Sequence, residues 1–486
     1  MTVSRTTARH GHASFAAAGP RATHRSPLAV LAIVATISGG LGACSDGGLP
    51  KLADLNPWAT KDVPLPGKRV AVLTGEDKLG ADLASADAPI SLPAERTNEA
   101  WSQPGGTANN SPGHLALPAT LKVGWTASAG SGSSSSGKLT ASPIVYGGNV
   151  YTLDTVGSVT AFSAAGGATQ WHARLVPDTA KSGGKADLLS FTSLTTLVGG
   201  NSGESKGYGG GLAADNGRVF AATGFGTVVA LDAKTGKKLW EKMLGTPIRS
   251  SPTAADDKVF VITSEGRFFC LSASDGAELW AYRGINDRAG LLTNASPAID
   301  GDIVIAPYPS GDVIALRVSD GQPAWTETLT RARSNSAMST ISDAARPVIE
   351  GGIVFAVGHG GRMVATQQRS GERVWSASVA STQAPVVAGD NVFVVDIGGI
   401  VSALSRKDGK VRWTAKLPAA KTWSGPVLAG NRLWLASTKG LLVGVEATTG
   451  RVITQAEIGS AVYIAPIVAQ GRLYVLTDGA KLVTYN

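Results

Sequence analysis

Few side chains in this chain are placed to do chemistry. Its 486 residues include two cysteines, Cys44 and Cys270, too few for a disulfide framework or a cysteine-rich zinc site. The histidines that follow Cys44 are His114, His172 and His359, and no two of them have the spacing of a metal-ligand pair. We therefore expect no catalytic residue, no metal site and no cofactor.

The N-terminal segment has the pattern of a secretory signal. Arg21 and Arg25 precede an apolar run at Leu28–Ile37. A run of about ten apolar residues is too short to span a bilayer and is typical of a signal peptide. We expect residues 1–43 to be a lipoprotein signal peptide, because of the sequence that follows the run.

That sequence is Leu41-Gly-Ala-Cys44, which resembles a bacterial lipobox. In a lipobox, small residues precede a cysteine that becomes the lipidated first residue of the mature protein. Ser45, rather than Asp, follows the cysteine, which favours the outer membrane over retention in the inner membrane. The alternative is an ordinary signal peptide with a chance cysteine.

Removal of the signal peptide halves the net charge. The chain has 44 basic and 36 acidic residues, a net charge of +8, and residues 1–43 hold four arginines and no acid. The mature chain therefore has 40 basic residues against 36 acidic ones, a net charge of +4. Such a balance gives little support to a nucleic-acid partner, and we expect none.

A repeated spacing determines the architecture. Seven segments carry a Gly four residues before a common end position and a second Gly ten residues before the first. Thr454 occupies the end position once, and Trp occupies it in the other copies: Trp171, Trp240, Trp280, Trp325, Trp375 and Trp413. We expect these tryptophans to dock each repeat on its neighbour.

The pattern of each repeat predicts a four-stranded antiparallel meander. Asn391–Asp396 and Ile400–Leu404 are short, apolar and β-branched, as in strands. Gly399 between them suits a tight turn with positive φ, and Gly409 turns the chain again before the Trp. Because such a sheet cannot bury both faces alone, the repeats must stack around an axis. The sequence therefore predicts an all-β fold, a β-propeller.

The blade count follows from the two ends of the repeat array. An incomplete unit starts at Ala465 and stops at Asn486, before a fourth strand. Leu121–Trp125 resembles the missing strand, including its Trp. We predict an eight-bladed propeller at residues 101–486 whose last blade is closed by strands from both termini, with seven blades as the alternative. Residues 44–100 lack the repeat and predict a membrane tether, and residues 174–209 predict a long exposed loop.

The repeat resembles a known motif. The pattern Ala-x-Asp/Ser-x-x-Thr/Asp-Gly-x-x-x-Trp, as at Ala230–Trp240, looks like the tryptophan-docking motif of pyrroloquinoline-quinone (PQQ)-type propellers. Two classes share it, the quinoprotein dehydrogenases and the BamB lipoproteins. Many of the dehydrogenases have a disulfide between adjacent cysteines, which Cys44 and Cys270 cannot form. The BamB resemblance is stronger, and Trp101–Gly106 looks like the lead-in of its alphaproteobacterial members.

The BamB resemblance implies a function. BamB proteins are non-catalytic scaffold lipoproteins of the outer-membrane β-barrel assembly (BAM) complex, on the periplasmic face of the outer membrane. They dock the POTRA domains of the barrel subunit BamA and aid insertion of outer membrane proteins, so unfolded outer membrane proteins are possible partners. The alternatives are a general periplasmic scaffold or sensor, and a PQQ-dependent dehydrogenase.

The family contacts BamA through loops ahead of two neighbouring blades. One family motif reads Leu-Ser-Asp-x-Asp, and Ile341–Ala345 corresponds to it, with Asp343 at the first acid and Ala345 at the second. The other loop corresponds to Arg288–Leu292, where Leu291 matches a family Leu and Arg288 lies near the expected Arg. The resemblance therefore implies partner binding by Asp343, Leu291 and Arg288. Asp343 can equally cap a turn before the strand.

Overall fold

The computed structural model describes residues 89–175, 209–284, 295–330, 343–418, 420 and 422–486. These residues form eight four-stranded antiparallel sheets, which confirms the predicted eight-bladed, all-β propeller. The expected signal peptide, Cys44, most of the expected tether and insertion, Arg288 and Leu291 lie outside the described residues.

The first strand among the described residues is β1 (Val123–Ser128), and four complete blades follow it. Blades 1 and 2 contain β2 (Ile144–Tyr146), β3 (Asn149–Leu153), β4 (Ser158–Ser163), β5 (Thr169–Arg174), β6 (Gly210–Asp215), β7 (Arg218–Thr223), β8 (Thr227–Asp232) and β9 (Lys238–Met243). Blades 3 and 4 contain β10 (Thr253–Ala255), β11 (Lys258–Ile262), β12 (Arg267–Ser272), β13 (Glu278–Arg283), β14 (Ala298–Asp300), β15 (Ile303–Pro307), β16 (Asp312–Arg317) and β17 (Pro323–Thr328).

The remaining blades continue the same order. Blades 5 and 6 contain β18 (Val348–Glu350), β19 (Ile353–Val357), β20 (Met363–Gln367), β21 (Arg373–Ala377), β22 (Val386–Ala388), β23 (Asn391–Val395), β24 (Ile400–Ser405) and β25 (Val411–Lys416). Blade 7 and the C-terminal part of blade 8 contain β26 (Trp423–Ala429), β27 (Arg432–Ser437), β28 (Leu441–Glu446), β29 (Val452–Glu457), β30 (Ile467–Ala469), β31 (Arg472–Leu476) and β32 (Lys481–Tyr485).

Burial changes across each blade. The second and third strands, such as β23 and β24, are buried on both faces because neighbouring blades cover them. The fourth and outermost strand alternates between buried and exposed residues, as in β25. Apolar clusters join consecutive blades all the way round, and one of them joins blades 7, 8 and 1. The core is therefore a ring of interfaces between blades.

Blade 8 closes the ring as the sequence predicts. β1 pairs antiparallel with β32 and supplies the outer strand of that blade, with Val123 opposite Tyr485 and Ser128 opposite Lys481. The two ends of the array thus share one sheet, which leaves neither end as a separate edge.

A belt, residues 91–115, crosses one end of the ring and touches every blade. Its backbone or side chains hydrogen-bond one residue in each of seven innermost strands, at Val145, Ala214, Ala254, Ile299, Ile349, Leu428 and Val468. Blade 6 is reached through Asn391, whose Nδ2 donates to the Ser91 carbonyl at 2.9 Å. The belt therefore satisfies inner-strand groups that would otherwise face the axis unpaired.

The belt distinguishes the two ends of the ring. It lies against the turns between first and second strands, for example at Gly389 and Asn431. We call this end the belt face. The turns between second and third strands and the connections between blades lie at the opposite end, which we call the loop face.

Candidate functional site

Tryptophans join seven of the eight blades to the next blade. In each case the indole Nε1 donates to a backbone carbonyl on the following blade, over 2.8–3.2 Å. The pairs are Trp125 with Ala164, Trp171 with Ala233, Trp240 with Ala273, Trp280 with Val318, Trp325 with Gln368, Trp375 with Arg406, and Trp413 with Ala447. The closing strand thus carries a docking Trp of its own.

The repeat glycines provide the surface on which these indoles pack. Gly409 of blade 6 has φ +72, and a Cβ added there would lie 2.6 Å from Cε3 of Trp375. The same contact recurs at Gly167, Gly236, Gly276, Gly321, Gly371 and Gly450. The motif couples Gly and Trp because the turn needs positive φ and the indole needs the space of a missing side chain.

The joint between blades 7 and 8 is built differently. Thr454 stands at the Trp position of blade 7, and the large aromatic group of this blade is Trp434, which packs over Gly444 within it. Arg432 Nη1 donates to the Ala119 carbonyl at 2.6 Å and lies 3.3 Å from the Thr454 hydroxyl. Since Ala119 precedes β1, this arginine ties blade 7 to the closing strand.

Asp343 lies at the loop face, where blade 5 begins, and is buried at 1% exposure. Its carbonyl accepts from the backbone N–H of His359 at 3.0 Å, and Ala345 N donates to the Val357 carbonyl at 2.9 Å. These bonds fasten the start of blade 5 to the turn between its second and third strands. The side chain offers almost no surface to a partner in this conformation.

A groove of about 220 Å³ lies beside this turn on the loop face. His359, Gln383, Asp396, Ile397 and Trp423 contribute to its walls, from blades 5, 6 and 7. Ile397 is 50% exposed and gives the groove an apolar wall. The loop face therefore presents a mixed apolar and polar surface over these blades.

Cys270 lies in the third strand of blade 3, opposite Trp280, and is fully buried. Burial raises the pKa of its thiol to about 12, so it packs as a small apolar side chain at neutral pH. Within the described ranges, no three His, Cys, Asp or Glu side chains are grouped closely enough to hold a metal ion. Within the same ranges, no helix is long and apolar enough to cross a membrane.

The sequence of the propeller matches a known protein family. The model of the family described as outer membrane protein assembly factor BamB matches residues 156–415 and 397–486, more than half of the chain. The chain belongs to the BamB family of outer membrane protein assembly factors. This membership confirms the resemblance that the repeats indicate.

Curated BamB relatives extend over most of the chain. The BamB of Shewanella oneidensis is 26% identical over 375 residues, which cover 76% of this chain and 90% of that protein. The BamB of Yersinia pestis is 25% identical over 346 residues, covering 71% of this chain and 84% of the relative.

Solved structures share the fold with both classes of PQQ-type propeller. The BamB of Moraxella catarrhalis has a TM-score of 0.60 at 19% identity and covers 76% of this chain and all of its own. A europium-containing methanol dehydrogenase has a TM-score of 0.61 at 17% identity, covering 78% of this chain and 89% of its own. At such identities the structural likeness shows the fold alone, so the family assignment rests on the sequence match.

The belt is a structural element of this BamB-family chain that the sequence does not predict. Its polar anchors are Asn98, Gln103 and Asn110, and Asn110 Nδ2 donates to the carbonyls of both Pro297 and Pro347. The one sequence feature that pointed to this region was the lead-in at Trp101–Gly106. It indicates the family, but it does not predict which residues the belt contacts.

Proposed function

We propose that this BamB-family chain is a non-catalytic scaffold lipoprotein of the BAM complex. A lipid on Cys44 holds it at the periplasmic face of the outer membrane, and its loop face docks the POTRA domains of a BamA-type barrel subunit. The observation that carries the assembly role is the family match over residues 156–486. A lipidated cysteine with more than one acyl chain provides a stable anchor.

The asymmetry of the ring supports the loop face as the docking face. The belt bonds to all eight blades at the other end, whereas the connections between blades lie at the loop face. Arg288 and Leu291 belong to the connection before blade 4, and Asp343 ends the connection before blade 5. We assign direct contact to Arg288 and Leu291. Because Asp343 is buried, we assign it the task of holding the start of blade 5.

Two arginines of blade 5 allow a matched test of this assignment. Arg362 lies at the loop face, where its Nη1 donates to the Thr328 carbonyl at 3.3 Å. Arg369 lies in the turn at the opposite face, with a side chain that is 86% exposed. The substitutions Arg362→Asp and Arg369→Asp therefore change charge equally on opposite faces of one blade.

The assay is affinity purification of the tagged protein from gently solubilised membranes, with mass spectrometry of the partners. We expect the POTRA-containing barrel subunit to be recovered with the wild-type chain and with Arg369→Asp, and several-fold less with Arg362→Asp. Equal recovery with both variants would place docking elsewhere. Failure to recover the subunit with the wild-type chain would favour a general periplasmic scaffold or sensor.

Contact with unfolded outer membrane proteins is a second part of the proposal. The outer strand of each blade has one free edge, a template for pairing with an extended client. Leu239, Leu279 and Val374 are 47%, 50% and 42% exposed on these strands. Replacing all three with Asp is expected to reduce cross-linking to unfolded clients and to leave recovery of the barrel subunit unchanged. Unchanged cross-linking would remove clients from the proposal.

A second candidate function is that of a PQQ-dependent dehydrogenase, since a methanol dehydrogenase shares the fold. A PQQ-dependent dehydrogenase would oxidise an alcohol with a dye acceptor after incubation with PQQ and Ca²⁺. We expect no such activity, and a saturable rate would replace the scaffold proposal.

A further inference from the structure

A cavity of about 280 Å³ lies on the axis of the ring. Its walls come from the segments that precede or begin the innermost strands of blades 1, 4, 5, 6, 7 and 8. A cavity that touches six of eight blades can lie only at the centre of the ring. Tyr463, which is 54% exposed, forms part of the wall, so the cavity reaches solvent at the loop face.

One charged side chain lines this cavity among the described residues, that of Arg346. Its Nε atom is buried and has no hydrogen-bond partner. Burial alone lowers the pKa of this guanidinium, to about 10. Arg346 is therefore still a cation at neutral pH, and no described carboxylate forms an ion pair with it.

The position of Arg346 is fixed by its neighbours. The next residue, Pro347, accepts a hydrogen bond from Asn110 of the belt at 2.9 Å, and the preceding Ala345 bonds to Val357 at 2.9 Å. The backbone on both sides of Arg346 is thus fixed at the cavity wall. A guanidinium whose Nε is buried and that has no counter-charge among the described residues is costly to a fold, which suggests that a ligand supplies the missing charge.

The surroundings of Arg346 define the ligand. A guanidinium matches the two oxygens of a carboxylate. The other polar groups of the wall are neutral, namely the hydroxyls of Thr140, Ser142, Thr382, Thr422, Ser424 and Tyr463 and the amide of Gln383. A cavity with one cation and otherwise neutral hydrogen-bonding groups suits a ligand that carries one negative charge and several hydroxyl groups. The volume, just below the usual range of ligand pockets, suits a small molecule.

We propose that the axial cavity binds a small hydroxylated monocarboxylate, with its carboxylate paired to Arg346. The ligand enters from the loop face, because the belt crosses the other end of the ring. This site is separate from POTRA docking, which the proposed function assigns to the rim.

The test compares two ligands of similar shape by isothermal titration calorimetry on the folded, detergent-solubilised chain. Gluconate carries one carboxylate and several hydroxyls, whereas sorbitol is its neutral counterpart. The variants are Arg346→Gln, which removes the charge, Arg346→Lys, which keeps the charge without the planar fork, and Arg369→Gln, an exposed control on the belt face. Circular dichroism of each variant verifies the fold.

We expect saturable binding of gluconate and none of sorbitol. Arg369→Gln should bind gluconate as the wild type does, Arg346→Lys more weakly, and Arg346→Gln at least tenfold more weakly than the wild type. Equal binding by Arg346→Gln and the wild type would overturn the assignment. So would an absence of binding by both gluconate and lactate at millimolar concentration. Binding of inorganic phosphate without either carboxylate would overturn the proposed ligand class.

Discussion

Gly409→Ala isolates the contribution of one blade junction. Ala at φ +72 costs about 1–2 kcal/mol in backbone energy. Its Cβ would also lie 2.6 Å from Cε3 and 2.7 Å from Cδ2 of Trp375, and displacing a packed indole costs about 1–3 kcal/mol more. We therefore expect Gly409→Ala to lower the free energy of unfolding by about 2–5 kcal/mol.

Gly352→Ala is the matched control for this substitution. Gly352 has φ +74 and nothing within 4 Å of an added Cβ, so only the backbone cost of about 1–2 kcal/mol applies. The assay is urea unfolding followed by far-UV circular dichroism, with Trp fluorescence reporting the indole environment. The difference between the two variants measures the Gly–Trp contact. Equal destabilisation of the two would refute the view that this contact holds neighbouring blades together.

Three further predictions concern the belt, the buried thiol and the anchor. Gln103→Ala removes two hydrogen bonds to Ala254 and one to Ala214. We expect it to lower the free energy of unfolding, measured with urea, by about 2–4 kcal/mol. A change below about 0.5 kcal/mol would mean that the belt does not stabilise the ring. In the Cys44→Ala variant, Cys270 is the one remaining cysteine. With its pKa raised to about 12, it stays protonated at pH 8 and should react with Ellman's reagent only after unfolding, since the thiolate is the reactive form. Rapid reaction of this folded variant would contradict the burial of Cys270. Cys44→Ala is expected to move the protein from the membrane to the soluble fraction on cell fractionation, whereas retention in the membrane would show another anchor.

The fold could be predicted from the sequence because the same glycine turns with positive φ recur from repeat to repeat. Gly399 and Gly409 have φ of +75 and +72, as the turns in the predicted meander need. The spacing of these glycines from Trp413 fixes strand lengths and hence the sheet. The incomplete unit of three strands at the C-terminal end then predicted that Leu121–Trp125 supplies the closing strand, because a propeller without closure would leave unpaired edges.

The belt and the axial cavity could not be read in the same way. Asn98, Gln103 and Asn110 bond to groups between 111 and 370 residues away in the chain, and no periodicity marks such partners. Arg346 likewise looks like any arginine before a strand until the ring places it on the axis. Asp343 shows the limit of motif matching, since its position fits the family loop while its side chain is buried.

The closure of blade 8 explains why blade 7 has Thr454 at the position where the other repeats have Trp. A docking Trp needs the glycine turn between the third and outer strands of the next blade. In blade 8 the outer strand is β1, which precedes the other blades in the chain, and no turn joins it to the third strand β32. A Trp at position 454 would have no glycine turn to pack on. Instead, Arg432 donates both to the Thr454 hydroxyl and to the carbonyl of Ala119, just before the closing strand. The departure from the motif is therefore a consequence of closing the ring with both termini.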